Sequence, residues 1–181
     1  MDAYPPDRDA LGPDHNERRS GREAARPIAV LQVLPRLDLG GVERGAVEIA
    51  RAVAEAGGRA LIACEPGGRL APRAEAGGAE IVPGPFASKN PAVMAGNARR
   101  LARVIRECGI DLVHARSRAP AWSAFAAARA TGAGFVTTWH GVYGARGPLK
   151  HFYNSVMALG RPVIAISEFT AGLAKERYRL P

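Results

Sequence analysis

Along most of the chain, short apolar runs alternate with longer segments in which apolar residues return every three or four positions. Residues 28–34 (IAVLQVL) read as a buried strand. Val42, Ala46, Ile49 and Val53 then recur at helical spacing, and Gly57-Gly58 ends that helix. Residues 60–64 are a second strand, 70–76 a short helix stopped by Gly77-Gly78, and 80–82 a third, short strand. Met94, Ala98, Leu101 and Ile105 mark the apolar face of the next helix. Residues 111–115 form a fourth strand, 120–130 an Ala-rich helix able to pack closely on a sheet, and 135–139 a fifth strand. Residues 149–159 are helical, 163–167 a sixth strand, and 168–177 a last helix.

These strands are short, rich in Val and Ile, and apolar on both faces. Such strands must be covered on both sides by helices, which predicts an α/β fold with a doubly wound parallel sheet. Ligands of such sheets bind where the chain leaves the carboxyl end of a strand for the next helix. The loops after each strand are therefore the ones to read for chemistry.

Residues 1–26 break the pattern, with six acidic residues, five arginines, three prolines and few apolar side chains. That composition cannot bury enough surface to order itself and predicts a disordered tail, leaving 27–181 as the folded unit. The 181-residue chain is long enough for one ordinary domain, and 47% hydrophobic content allows a sizeable core. The formal net charge of +8 admits three partners: nucleic acid, an anionic membrane surface, or a phosphate-bearing small molecule. The cations are scattered, and no RNA-binding signature or zinc spacing accompanies them, so nucleic acid is set aside. Cys64 and Cys108 lie beside apolar segments and read as small buried thiols of a reducing cytoplasm. No secretory signal and no stretch of membrane-spanning length is present.

Three loops carry candidate chemistry. After strand one, Gly40 and Gly41 open a helix at once. Two readings stand: a tight turn, or a backbone cradle in which exposed N–H groups and the helix dipole attract a phosphate. The Gly-x-Gly-x-x-Gly spacing is missing, which argues against a nicotinamide-dependent enzyme. After strand four, Arg116, Ser117 and Arg118 either grip a phosphate or sugar hydroxyl or face water in a solvated loop, while His114, inside the strand, reads as a core histidine. After strand five, His140 precedes Gly141, and it either meets a substrate or caps the sheet edge. Lys89, ahead of the helix at Pro91, is a weaker ligand candidate, and Ser167-Glu168 reads as a helix N-cap. No catalytic triad, paired acids or metal-ligand spacing is visible.

The segment Asp-Leu-Gly-Gly-Val-Glu at 38–43, placed between a strand and a helix, is similar to the N-terminal domain of family 4 glycosyltransferases. Leu-Val-His-Ala-Arg-Ser at 112–117, Thr-Thr-Trp-His-Gly at 137–141 and Val-Ile-Ala-Ile-Ser-Glu at 163–168 follow in the family's order and spacing. The resemblance covers 27–181. It implies a GT-B enzyme, in which two Rossmann-like domains face each other across a cleft and transfer retains the anomeric configuration without a metal or other cofactor. By the resemblance, Gly40 and Gly41 approach the diphosphate of a nucleotide-sugar donor, and His140 is the catalytic-site histidine that meets the donor sugar. Glu43, Lys89, Arg116, Ser117 and Arg118 would line the acceptor side. Family acceptors are often lipid-linked or phosphorylated, and a basic domain suits peripheral binding to the inner face of an anionic membrane. The donor-binding lobe that the family carries beyond this point is not in the sequence, so negligible transfer by this chain alone is expected unless a second chain supplies that lobe. The competing expectation is a non-catalytic module that binds an anionic lipid or sugar phosphate.

Overall fold

The computed structural model describes residues 26–142, 144 and 147–180. Six strands lie between the helices: β1 (Ala29–Arg36), β2 (Arg59–Glu65), β3 (Ala79–Pro83), β4 (Leu112–Ala115), β5 (Gly134–Trp139) and β6 (Val163–Ala165). The helices are α1 (Gly41–Glu55), α2 (Ala71–Ala76), α3 (Pro91–Cys108), α4 (Arg118–Thr131), α5 (Pro148–Ser155) and α6 (Glu168–Tyr178). The strands form one sheet in the order β3-β2-β1-β4-β5-β6, and every neighbouring pair is parallel. The doubly wound α/β fold expected from the apolar runs is the observed one. The order reverses between β1 and β4, which is where such sheets open a crevice at the carboxyl ends of their strands.

Two cores flank the sheet. On one face α1 and α2 bury Ala46, Val47, Ala50 and Ala74 against Ile62 and Cys64 of β2. On the other, α3 and α4 cover Leu31, Val33, Leu61 and Val113. Helix α4 presents Ala121, Ala124, Ala127 and Ala128 to this second core, each at most 1% exposed. Methyl-sized contacts let its axis lie close to both the strands and α3. The starts of β1 and β4 are pinned together by Asp111, which accepts from Ala29 N at 2.8 Å and pairs with Arg26. Arg26, the last residue of the expected tail, therefore belongs to the fold; residues 1–25 lie outside the described residues.

Several boundaries differ from the sequence expectation. Helix α4 starts at Arg118 rather than residue 120, because Pro120 falls within the first turn, where the missing N–H sacrifices no intrahelical bond. The helix expected over 149–159 splits into α5 and a 3-10 turn at Val156–Ala158. There the Met157 carbonyl accepts from Thr137 Oγ1 (2.7 Å) and Trp139 Nε1 (2.8 Å), and these sheet side chains satisfy a helix-end acceptor. Strand β6 ends at Ala165, and Ser167 caps α6 by accepting from Thr170 N at 3.2 Å, in a capping box. Cys64 is buried, as expected, and burial pushes its thiol up to about 11. Cys108 is only half-buried.

Gly160 closes the connection from the turn into β6. A Cβ there would meet Thr137 Oγ1 at 2.5 Å, Thr137 N at 2.6 Å and the Pro162 carbonyl at 2.9 Å. Two of these atoms are backbone and cannot swing away. Gly160→Ala is expected to destabilise the fold by roughly 1–3 kcal/mol through overpacking, as a lower urea midpoint with an unchanged slope. An unaltered midpoint would mean that the connection has slack this packing does not reveal.

Candidate functional site

Side chains alternate faces along a strand, so residues two apart point the same way. His114 and Arg116 share the alternation of β4, Thr138 and His140 that of β5, and Gln32 lies in register with His114 on β1. Gln32 and Arg116 pack against α1, and His114, Thr138 and His140 lie beside them. Gln32 Nε2 donates to the Ala46 carbonyl at 2.7 Å, and Arg116 Nη1 donates to Gln32 Oε1 at 3.4 Å. His114 Nε2 and Thr138 Oγ1 are 2.7 Å apart. A Cβ on Gly45 would lie 2.8 Å from Arg116 Nη2, so the lack of a side chain in the first turns of α1 makes room for the guanidinium.

Arg116 is 4% exposed, and its Nε has no hydrogen-bond partner among the described residues. Burial pulls its guanidinium down to about 10, offset in part by Glu43, and it stays charged at neutral pH. That charge acts on both histidines. Burial first, then Arg116, then His140 push His114 down to about 4; burial and then Arg116 do the same to His140. Both rings are neutral at pH 7. His140 Nε2 is enclosed without a partner among the described residues, at the point where the chain leaves β5.

The start of α1 completes this cluster. Gly40 occupies the N-cap position and no side chain caps the helix. The Glu43 carboxylate folds back over the loop, close enough that a Cβ on Gly40 would meet it at 2.1 Å. Gly41 has open space where a side chain would stand. The result is a helix N-terminus, a buried cation and an unpaired imidazole nitrogen converging at the carboxyl ends of β1, β4 and β5.

A groove of about 1240 Å³ lies beside this cluster, where α3, α4 and α5 begin. Three hydrogen bonds knit its walls: Ser123 Oγ to the Met94 carbonyl (2.8 Å), Trp122 Nε1 to the Tyr153 carbonyl (3.1 Å) and Arg118 Nη1 to Asn154 Oδ1 (3.0 Å). Phe152 stacks on Trp122 with ring centroids 5.1 Å apart. Tyr153 turns its hydroxyl inward with no partner among the described residues, and burial raises its pKa.

The expected site residues therefore fall into two groups. Gly40, Gly41, Glu43, Arg116 and His140 form the polar cluster, whereas Lys89, Ser117 and Arg118 line the groove. Glu43 and Arg116, assigned with the groove residues from sequence, lie instead with the glycines. Glu43 is on α1, and Arg116 points under that helix while its second neighbour Arg118 has already entered α4. Sequence reasoning passed over Gln32, Gly45 and Trp122. The lone amide in an apolar strand and the two-residue spacing of His114 from Arg116 were the available signals. Among the described residues no group of three or more His, Cys, Asp or Glu is placed to hold a metal ion, and no helix is long and apolar enough to cross a membrane.

Comparison with known proteins adds three findings. Residues 39–181 match Glycosyltransferase Family 4. A glycosyltransferase from Rickettsia africae ESF-5 superposes with a TM-score of 0.74 at 38% identity, over 86% of this chain and 41% of that one. Two further solved structures share the fold at lower identity. HepE from Anabaena, in complex with UDP, gives a TM-score of 0.61 at 15% identity, over 85% of this chain and 42% of that one. MurG from Acinetobacter baumannii gives 0.57 at 14%, over 75% and 40%. The chain thus spans well under half the length of these structures. No curated protein matches.

The histidine pair makes stability depend on pH. His114 has a folded value of about 4 against an ordinary value of 6.5, so the unfolded chain binds its proton first. Stability is insensitive to this group above pH 6.5 and falls as the pH drops towards 4. Between pH 8 and pH 5 His114 is expected to remove about 2 kcal/mol. Urea titrations at both values should show that loss shrinking in His114→Gln; an equal loss in the variant would mean that His114 does not carry it.

Proposed function

The chain belongs to glycosyltransferase family 4, and from that premise we propose that it is the acceptor-side half of a retaining GT-B transferase. In this reading a sugar passes from a nucleotide-sugar to a glycan, lipid-linked or phosphorylated acceptor, across a cleft whose other wall is a donor-binding lobe. The observation that carries the proposal is the meeting of the α1 N-terminus, Arg116 and His140 at one edge of the sheet.

Each part has a task that its physics suits. The uncapped start of α1, with Gly41 open above it, offers backbone N–H groups to a diphosphate. Arg116 places a positive charge beneath that point, in surroundings where little water screens it. A diphosphate arriving there takes the place now held by the Glu43 carboxylate, so Glu43 acts as a stand-in for the anion. His140, kept neutral by burial and by Arg116, meets the donor sugar through a hydrogen bond and adds no cation to repel Arg116. The groove on the α4 side receives the acceptor, with Lys89, Ser117 and Arg118 along it. The UDP seen bound to HepE supports a nucleoside diphosphate as the donor's leaving group.

The test is a two-lobed protein made by joining this chain to the donor half of the Rickettsia africae relative, assayed for transfer from nucleotide-sugars. Relative to that parent, His140→Ala is expected to lower turnover about 100-fold, with an unchanged circular dichroism spectrum. Turnover within twofold of the parent would take His140 out of the mechanism. A parent that binds no nucleotide-sugar would sink the transferase assignment for this chain.

A further inference from the structure

The backbone and the charged end of Arg116 are held by different partners. Its N–H donates to the Val33 carbonyl at 3.0 Å, so the sheet fixes where the side chain starts. The guanidinium lies several rotatable bonds further on, beyond the reach of that constraint. Among the described residues one side chain hydrogen-bonds it: Gln32, whose Oε1 accepts from Nη1 at 3.4 Å. Nη2 lies in the space that Gly45 leaves, and Nε is enclosed without an acceptor among the described residues.

Gln32 is itself 1% exposed, in a strand segment that is otherwise apolar over residues 28–34. Burying an amide is unfavourable where an apolar side chain would fill the space. Two purely structural tasks could account for it, and neither does. The Ala46 carbonyl that accepts from its Nε2 at 2.7 Å lies inside α1, where the helix ladder already supplies a donor. Its register partner His114 bonds Thr138 instead. What the 2.7 Å bond does is orient the amide: with Nε2 committed to a carbonyl, Oε1 is the atom left for Arg116.

We propose that Gln32 is a positioning residue: without touching a ligand, it holds the Arg116 guanidinium against Gly45 in the orientation in which the site at the start of α1 takes up a diphosphate. The hold on Arg116 is a property of this chain. Its consequence for a diphosphate rests on the transferase reading.

The test uses the chain with two uncharged substitutions. Gln32→Met keeps the length of the side chain and removes the amide, and Gly45→Ala adds a Cβ that displaces Nη2 from the other side. Neither alters the net charge, so non-specific attraction of anions is unchanged. The first readout needs no ligand. The Arg116 charge opposes a proton on His114 and on His140, so a guanidinium released by Gln32→Met should let both rings titrate at higher pH, followed by NMR of the imidazole carbons. In an Arg116→Met background the same substitution should move neither ring. The second readout is calorimetric titration with inorganic pyrophosphate, whose binding each substitution is expected to weaken about fivefold. Histidines that titrate as in the parent after Gln32→Met overturn the inference. So do histidines that move equally in the Arg116→Met background, because Gln32 then acts on them through packing. Pyrophosphate affinity within twofold of the parent's in both variants also overturns it. A parent chain that binds no pyrophosphate sinks the donor-site reading, and the histidine titrations then decide the hold on Arg116 by themselves. Circular dichroism checks folding; alanine favours a helix over glycine, so Gly45→Ala carries the test should Gln32→Met fail to fold.

Discussion

A single buried cation organises the functional end of this molecule. Arg116 sits beneath α1 with 4% of its surface exposed, and it donates to Gln32 at 3.4 Å. Removing a guanidinium from water is unfavourable unless its donors and charge are matched. The surroundings answer in three ways. Gly45 leaves room for it, Glu43 offers a negative charge across the start of the helix, and two histidines nearby are neutral at pH 7. Its Nε nonetheless has no partner among the described residues. A positive charge held in place and incompletely matched is suited to an anion that comes and goes, which is the physical content of the proposed donor-side role.

The two surfaces at this end of the sheet differ in kind because different elements build them. The polar cluster comes from strand ends and the first turn of α1, whose backbone geometry is fixed by the sheet, and it is largely enclosed. The groove comes from the N-terminal halves of α3 and α4 together with α5, joined through Ser123, Trp122 and Arg118, and it opens outward to Leu149 and Phe152. Enclosure sharpens electrostatics in the first, and exposure of apolar surface dominates the second. Ser117 and Arg118 directly follow Arg116, so the groove and the cluster share one loop of the chain.

Much of the fold was legible. The apolar runs announced six strands, because a strand buried on both faces has no polar face to interrupt it. The glycine pair before α1 and the Ser167 cap announced helix starts. Where the reading slipped, a local signal had two outcomes and packing chose between them. Pro120 reads as a helix start, yet proline is tolerated within the first turn, and α4 begins at Arg118. Residues 149–159 looked like one helix until Thr137 and Trp139 claimed the Met157 carbonyl. Arg116 and Arg118 look like neighbours in one loop, yet one is buried under α1 and the other, at the start of α4, is held by Asn154 of α5. The exposure of Leu149 and Phe152 had no signature, because helical spacing of apolar residues says which side chains share a face and not whether that face has a partner.

What the chain determined by itself is local: which segments are strands or helices, that the strands must be parallel and covered on both sides, and that residues 38–43, 114–118 and 138–140 fall at or near strand ends. What only the tertiary structure decided is which of these meet. Glu43, Arg116 and His140 are far apart in sequence, and they come together because the strand order reverses between β1 and β4 and sets the carboxyl ends of β1, β4 and β5 side by side. Alternation along a strand is enforced by backbone stereochemistry within a few residues. Strand order is chosen by the burial of both sheet faces at once, which no short window of sequence contains.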